Sequence, residues 1–317
     1  MKGIVFLGQH NLEIQEFEDP TPGPDEVILE IKASGMCGSD LKVYRAVDGP
    51  SSLGLGGEDK QVIAGHEPCG TIVELGKNVN KNNFKKDMNV MQHHYKGCGT
   101  CVHCSTGWQQ LCVDGVKEVY GVTGHGAHAK YMKCPADTLV KLREDISFKS
   151  GAAISCGTGT AWGAIDRLCL RSHEILAVFG LGPVGLSAVM IASSMGVNVI
   201  ALDTNQQRLN RAKSFGAENI LNPMKIDNVI DAIKDLTNGL GAHSSIDASS
   251  SSDARSQSIK CLRTWGKACF VGEGGNVDID VSNDLLRRQI TLIGSWTFSK
   301  NGQYACSEYV AEKKLKV

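Results

Sequence analysis

The chain has 317 residues, 42% of them hydrophobic and 36 of them glycine, enough for two domains that each bury a core. Its 33 basic and 34 acidic side chains leave a formal net charge of -1. No bulk field therefore draws it to nucleic acid or to an anionic membrane, and the sequence carries no basic stripe, low-complexity tract or internal repeat.

The chain opens with a short apolar run at residues 4–7, too brief for the core of a signal peptide and suited to a first strand. A soluble, cytoplasmic protein is the expectation. In that setting its 12 cysteines are mostly reduced, and clustered ones read as metal ligands rather than disulfides. Pro20, Pro22 and Pro24 mark an early loop, and β-like runs follow at residues 27–34, 70–75 and 127–134. The rhythm then changes. Strand-like runs at 175–180, 198–203, 245–248, 267–272 and 290–295 alternate with helical patterns such as 206–215 and 226–237, which Gly216 and Gly239 follow closely. Such alternation implies a parallel sheet with helices on both faces. The expected class is α/β, with a mostly-β domain at 1–150 and a doubly wound domain at 151–296. Residues 297–317 read as the start of a C-terminal segment that is truncated, because the helical spacing of Tyr304, Tyr309, Val310 and Leu315 ends with no glycine cap and no following strand. The uncharged stretch 175–202 is long enough for a bilayer, but Gly180, Gly182, Pro183 and Gly185 interrupt it early. A strand, a glycine turn and a buried helix explain it better than a membrane span.

Residues 97–112 hold Cys98, Cys101, Cys104 and Cys112 in a C-x2-C-x2-C-x7-C pattern. Four thiolates converging from one stretch suit a tetrahedral structural zinc, with bonds of about 2.3 Å. An iron–sulfur cluster is the rival, although the bacterial run has a shorter last gap and a proline where this chain has Val113. With every position filled by protein, such a site holds a loop together and does no chemistry. A catalytic metal needs an open position as well. Cys37 in CGSD, His66 in GHE and Cys156 in SCGTGT are candidates, but they lie far apart and spacing alone does not select them over inert buried thiols.

Gly180, Leu181, Gly182, Pro183, Val184 and Gly185 follow an apolar strand and open a helix. In that setting the glycines let a pyrophosphate approach the helix N-terminus, as in a Rossmann domain. Asp203 ends the next strand, about twenty residues on. Its carboxylate can hold both ribose hydroxyls and repels a 2′-phosphate, which favours NAD over NADP. Arg208 nearby either accepts such a phosphate or is a helix surface charge.

Together CGSD, AGHEP, the four-cysteine lobe, SCGTGT, GLGPVG, VGEGG and GSWT resemble the zinc-dependent medium-chain alcohol and polyol dehydrogenases over nearly the whole chain. The resemblance implies a GroES-like catalytic domain followed by the Rossmann domain. It implies that Cys37, His66 and Cys156 hold a catalytic zinc, that Glu67 sits beside it and exchanges with water, and that Asp40 orients His66. Ser39 would hydrogen-bond the substrate oxygen and pass its proton on. Thr160, together with Val271, Gly272, Glu273, Ser295, Trp296 and Thr297, would contact the nicotinamide. One departure concerns Lys42, where many relatives carry the histidine that ends a proton relay; cofactor ribose and water are its substitutes here. His93 and His94 read as residues of the surface or of an outer layer around the metal, not as ligands.

The expected function is hydride transfer between an alcohol (secondary alcohol, polyol or amino alcohol) and NAD, with two zinc ions per chain, in a homodimer or homotetramer. The alternatives are a zinc-free quinone or enone reductase and a nucleotide-binding protein that has lost catalysis. The filled cysteine and histidine positions disfavour both.

Overall fold

In chain order the early β-like runs become β1 (Lys2–Gly8), β2 (Asn11–Glu16), β3 (Glu26–Gly35), β4 (Glu67–Leu75), β5 (Asn89–Gln92), β6 (Tyr95–Lys96), β7 (Glu118–Val119), β8 (Tyr131–Pro135) and β9 (Leu139–Lys141). Helices α1 (Gly38–Arg45), α2 (Val102–Ser105) and α3 (Phe148–Ile154) punctuate them. These elements come from a computed structural model that describes residues 1–47 and 61–317. Five of the strands form an antiparallel sheet in the order β8-β3-β4-β5-β9. Val27, Leu29, Ile72, Val90, Met132 and Leu139 fill its core. The run expected at 127–134 keeps only its second half as a strand. The amides of Gly126, Ala127 and His128 instead bond to the carbonyls of Ile63, Gly65 and Ala64, at 2.7, 2.8 and 2.8 Å. That pairing steadies the approach to His66.

The alternating part of the chain gives α4 (Gly157–Leu168), β10 (Ile175–Phe179), α5 (Pro183–Ser194), β11 (Asn198–Leu202), α6 (Gln206–Ser214), β12 (Asn219–Leu221), α7 (Val229–Asp235), β13 (Ala242–Asp247), α8 (Ser252–Lys260), β14 (Leu262–Phe270) and β15 (Thr291–Gly294). The six strands are parallel and ordered β12-β11-β10-β13-β14-β15. Counted from β10 this is 3-2-1-4-5-6, the order of a dinucleotide-binding sheet with its switch between the first and fourth strands. Helix α7 is shorter than its 226–237 pattern because Asn228 caps it, accepting from the amides of Ile230 and Asp231. Strand β14 starts earlier than its run, across a bend where Trp265 has φ +65°. Ala177, Phe179, Ile200, Leu202, Ile233 and Ala268 are buried in the core of this sheet. Among the described residues no helix is long and apolar enough to cross a membrane. The uncharged stretch 175–202 is β10, a glycine turn, α5 and β11.

The chain divides into two compact units, Met1–Gly159 with Phe298–Val317, and Thr160–Thr297. The composition change near residue 150 marks the end of the β-rich part, yet the first unit runs on through α3 and the first residues of α4. Residues 298–317, set apart in the sequence reading, fold with the first unit as α9 (Lys300–Glu312), which Ser299 caps and which packs against α3 and β9.

Leu29 is fully buried in β3, the strand flanked by β4 and β8. Leu29→Ala is expected to lower stability by about 2–5 kcal/mol, the range for a large side chain lost from a packed core. Denaturant unfolding of the metal-loaded protein checks this; a change under about 0.5 kcal/mol would contradict the core assignment.

Candidate metal and nucleotide sites

Strand β3 ends at Gly35 and α1 begins at Gly38, which makes Cys37 the helix cap. Its sulfur accepts from the Ser39 amide at 3.3 Å and lies 2.9 Å from Ser39 Oγ. The Asp40 carboxylate reaches back to the Cys37 amide at 2.8 Å. This reciprocal cap fixes the first turn and sets a thiolate at the positive end of the helix. The other Asp40 oxygen accepts from His66 Nδ1 at 3.1 Å, with both side chains buried. That bond selects the tautomer and leaves Nε2 beside Cys37 Sγ, 3.0 Å away. Cys156, in the turn between α3 and α4, hydrogen-bonds Cys37.

One ligand atom each from Cys37, His66, Glu67 and Cys156 lies within 4.8 Å of the others. A tetrahedral zinc with bonds of about 2.0–2.3 Å holds its ligand atoms about 3.3–3.8 Å apart, so this donor set fits the ion after small shifts, Cys37 Sγ and His66 Nε2 moving slightly apart. The hydrogen bond from Cys156 outweighs burial and holds the Cys37 thiol down at about 4, while the same bond, with burial, keeps Cys156 well above the usual thiol range. Burial opposes charge on His66, but its bonds to Asp40 and Cys37 win and raise its pKa. Glu67 is pushed up to about 8, by burial first and then by the Cys37 thiolate. The Glu67 carboxyl approaches closely because Gly35 faces it across the β3–β4 pair, and a Cβ there would overlap Glu67 Oε2.

The sulfurs of Cys98, Cys101, Cys104 and Cys112 also lie within 4.8 Å of one another, around α2 and a 3₁₀ turn at Gln109–Leu111. Backbone amides of Cys98 and Cys101 donate to Cys112 and Cys98 sulfurs, each at 3.3 Å, which favours thiolates. All twelve cysteines are free thiols.

His93 and His94 are buried, a correction to the surface reading. Two adjacent polar residues suggested exposure, but each ring finds a backbone carbonyl. His93 Nε2 donates to the Phe298 carbonyl at 3.0 Å, and Gln110 Nε2 donates to the same oxygen at 2.8 Å. His94 Nδ1 donates to the Ser155 carbonyl at 3.2 Å, and its ring stands edge-on to His66 at 5.2 Å. Burial lowers the pKa of both, His93 to about 4.

In the second unit, Gly180 adopts φ +87° and Gly185 packs so tightly that a Cβ would overlap the Gly180 carbonyl. Gly182 is different. Its φ of -69° suits any residue, and nothing lies within 4 Å of where its Cβ would be. The empty space sits at the N-terminus of α5, where Pro183 occupies the first turn ahead of Val184. This is the room a phosphate group needs. Asp203 follows β11; its carboxylate accepts from the Leu181 amide at 2.7 Å and the Asn205 amide at 2.8 Å. Arg208 lies exposed on α6 with its guanidinium 3.6 Å from that carboxylate. The structure brings the two strand-end segments together: the Ser295 amide bonds the Phe270 carbonyl at 2.9 Å, and Trp296 Nε1 donates to Glu273 Oε1 at 2.9 Å. The amides of Val271 and Gly272 bond the Asp247 carbonyl, and Thr297 has φ +55°. Thr160 is buried on α4. Sequence reasoning passed over Phe298, Gln110, Asp247 and Arg255, which no motif marks; an acid closing an apolar strand was the one available signal, at Asp247.

Two family descriptions match the chain. Residues 23–144 match the alcohol dehydrogenase GroES-like domain, and residues 183–312 match the zinc-binding dehydrogenase family. An uncharacterized zinc-type alcohol dehydrogenase-like protein of Escherichia coli strain K12 is 34% identical, over 99% of this chain and 89% of its own length. An alcohol dehydrogenase of Geobacillus stearothermophilus is 30% identical, over 99% and 89%. Among solved structures, acetophenone reductase from Geotrichum candidum in complex with NAD is similar with a TM-score of 0.83 and 26% identity, covering 99% of this chain and 88% of that one.

The three loop glycines generate a paired expectation. Gly185→Ala should cost about 1–3 kcal/mol by overpacking. Gly182→Ala should leave stability within about 0.5 kcal/mol but weaken ADP-ribose binding. Thermal unfolding and calorimetric titration read the two effects separately. Unchanged ADP-ribose affinity in Gly182→Ala would remove the reason given for that glycine.

Proposed function

The chain belongs to the zinc-type alcohol dehydrogenase family, whose members are oxidoreductases of small alcohols and carbonyl compounds, and from that premise we propose that it transfers hydride between an alcohol and NAD. The observation that carries the reading is the convergence of Cys37, His66, Cys156 and Glu67 about one point, with Asp40 fixing two of them. Bound zinc would supply Lewis acidity toward the substrate oxygen, and the nicotinamide would supply the hydride acceptor. Three ligands with Glu67 as an exchangeable fourth suit this task, because a carboxylate that leaves the metal frees a position for substrate or water. Ser39 Oγ lies beside the Cys37 sulfur and can both accept the alcohol proton and pass its own on. Lys42 lies three residues further along α1, where many relatives carry the histidine of a relay, and cofactor ribose and water would take that part here. The substrate class is a secondary alcohol, polyol or amino alcohol.

A four-cysteine lobe with no open position completes the reading as a second, structural zinc. Asp203 sets the cofactor choice: its carboxylate offers acceptors to the two ribose hydroxyls and would repel a 2′-phosphate. Val271–Glu273 and Ser295–Thr297 line the nicotinamide, with Thr160. β15 is the outer strand of its sheet and suits pairing with a second copy, which makes a homodimer or homotetramer the reading for assembly. A zinc-free quinone or enone reductase is the weaker reading, since it leaves the complete donor set without a purpose.

Metal analysis of the purified protein should return two zinc ions per chain, one for each cluster. A single zinc would sink the two-site reading. Asp203→Ala should raise kcat/KM with NADP relative to NAD; an untouched ratio would mean that Asp203 does not choose the cofactor. Ser39→Ala should lower kcat about a hundredfold or more. Lys42→Ala should chiefly alter the pH profile, and equal kcat losses from the two substitutions would contradict this order of importance.

A further inference from the structure

Arg255 is the most deeply buried guanidinium that the chemistry above leaves unused. It lies on α8 and is 7% exposed, and its partner Asp247 at the end of β13 is fully buried. Arg255 Nε donates to Asp247 Oδ2 at 2.9 Å. A terminal nitrogen of the same group donates to the Gly272 carbonyl. The guanidinium also sits 5.8 Å from the Phe270 ring centroid, and a Cβ added to Gly275 would come within 3.3 Å of it. The remaining Asp247 oxygen takes the Ser249 amide at 3.0 Å and the Ser249 hydroxyl at 2.6 Å. One guanidinium thus ties the end of β13 to the segment that leaves β14.

Stability does not explain the charge. Taking an ion pair out of water costs about as much as the pair returns, and well-packed apolar residues of the same size serve a core equally well. What the pair does supply is direction. The Gly272 amide is held by the Asp247 carbonyl at 3.0 Å, and the Gly272 carbonyl is held by Arg255. Both faces of that residue are therefore fixed. Because the peptide is trans, a carbonyl drawn toward Arg255 turns the Glu273 amide the opposite way. A planar fork can serve a carboxylate and a carbonyl together; an ammonium cannot hold both with the same geometry.

We infer that Arg255 is a positioning residue of the nucleotide site, setting the 271–273 segment for the nicotinamide half of the cofactor. This rests on the nucleotide-site reading above. The ADP-ribose half would be held elsewhere, by Asp203, which the Leu181 amide fixes, and by the glycine turn before α5. The two halves should therefore respond differently to its loss.

The test titrates the zinc-loaded protein with NADH and, separately, with ADP-ribose, which lacks the nicotinamide. In Arg255→Lys a cation stays beside Asp247 but one of two hydrogen bonds goes. NADH should bind about tenfold more weakly, ADP-ribose within about twofold of the wild type. Arg255→Ala should widen the gap, with a lower melting temperature. If Arg255→Ala does not fold, Arg255→Lys still decides. Equal weakening of both ligands, or weakening of neither, overturns the assignment. Failure of the wild-type protein to bind either ligand overturns the nucleotide-site reading, and the assignment with it.

Discussion

Charge taken out of water must be met inside the protein, and this requirement shapes both units at the ends of their strands. Asp40 meets it with the Cys37 amide and His66. Asp203 meets it with the amides of Leu181 and Asn205, and Asp247 with Ser249 and Arg255. Each carboxylate spans a gap in sequence. Asp40 and His66 are 26 residues apart, and Leu181 and Asp203 are 22 apart. The two oxygens of one small side chain thereby set two segments at once. The strands bring the segments near, but the carboxylates fix their orientation to within a hydrogen bond.

The four-cysteine lobe extends this logic without a carboxylate. Its Gln110 shares the Phe298 carbonyl with His93, and the Lys300 amide bonds the Gly107 carbonyl at 2.8 Å. Lys300 Nζ reaches the Asp137 carbonyl at 2.6 Å. Residues 298–301 are thus held by the lobe and its surroundings at several points. His93 stacks on His94, and His94 faces His66. The backbone around the four cysteines is in this way continuous, through two buried imidazoles, with the residues around Cys37, His66, Glu67 and Cys156. The lobe's hydrogen bonds to residues 298–301 thus connect, through His93 and His94, to the ring of His66.

What the sequence disclosed was local. Five of the six strands of the parallel sheet were legible because each is a short apolar run and most connections are helical patterns with glycine stops; β12, only three residues long, was missed, and the strand order came from the structure. The spacing of Cys98, Cys101, Cys104 and Cys112 was legible because one turn and one loop suffice to bring them together. The pairs Asp247–Arg255 and Gln110–Phe298 were not. The first looks in sequence like a loop acid and a helix surface cation, and the second joins residues 188 positions apart. No periodicity encodes such a bond; it exists only once sheet register and helix packing are set. Of the two places considered for His93 and His94, the surface and an outer layer around His66, burial removes the first, and each ring meets a buried backbone carbonyl instead of water.

The glycines show how far structure refines a motif. In GLGPVG three glycines read alike, but their causes differ. Gly180 is required by a left-handed backbone and Gly185 by crowding against Gly180. Gly182 is required by neither. Elsewhere the chain uses a missing side chain in the same manner as at Gly185: Gly35 leaves room that Glu67 fills. Where the space is filled, the protein itself explains the glycine. At Gly182 the space is open and the backbone relaxed, and the helix N-terminus behind that space suits a group carrying negative charge.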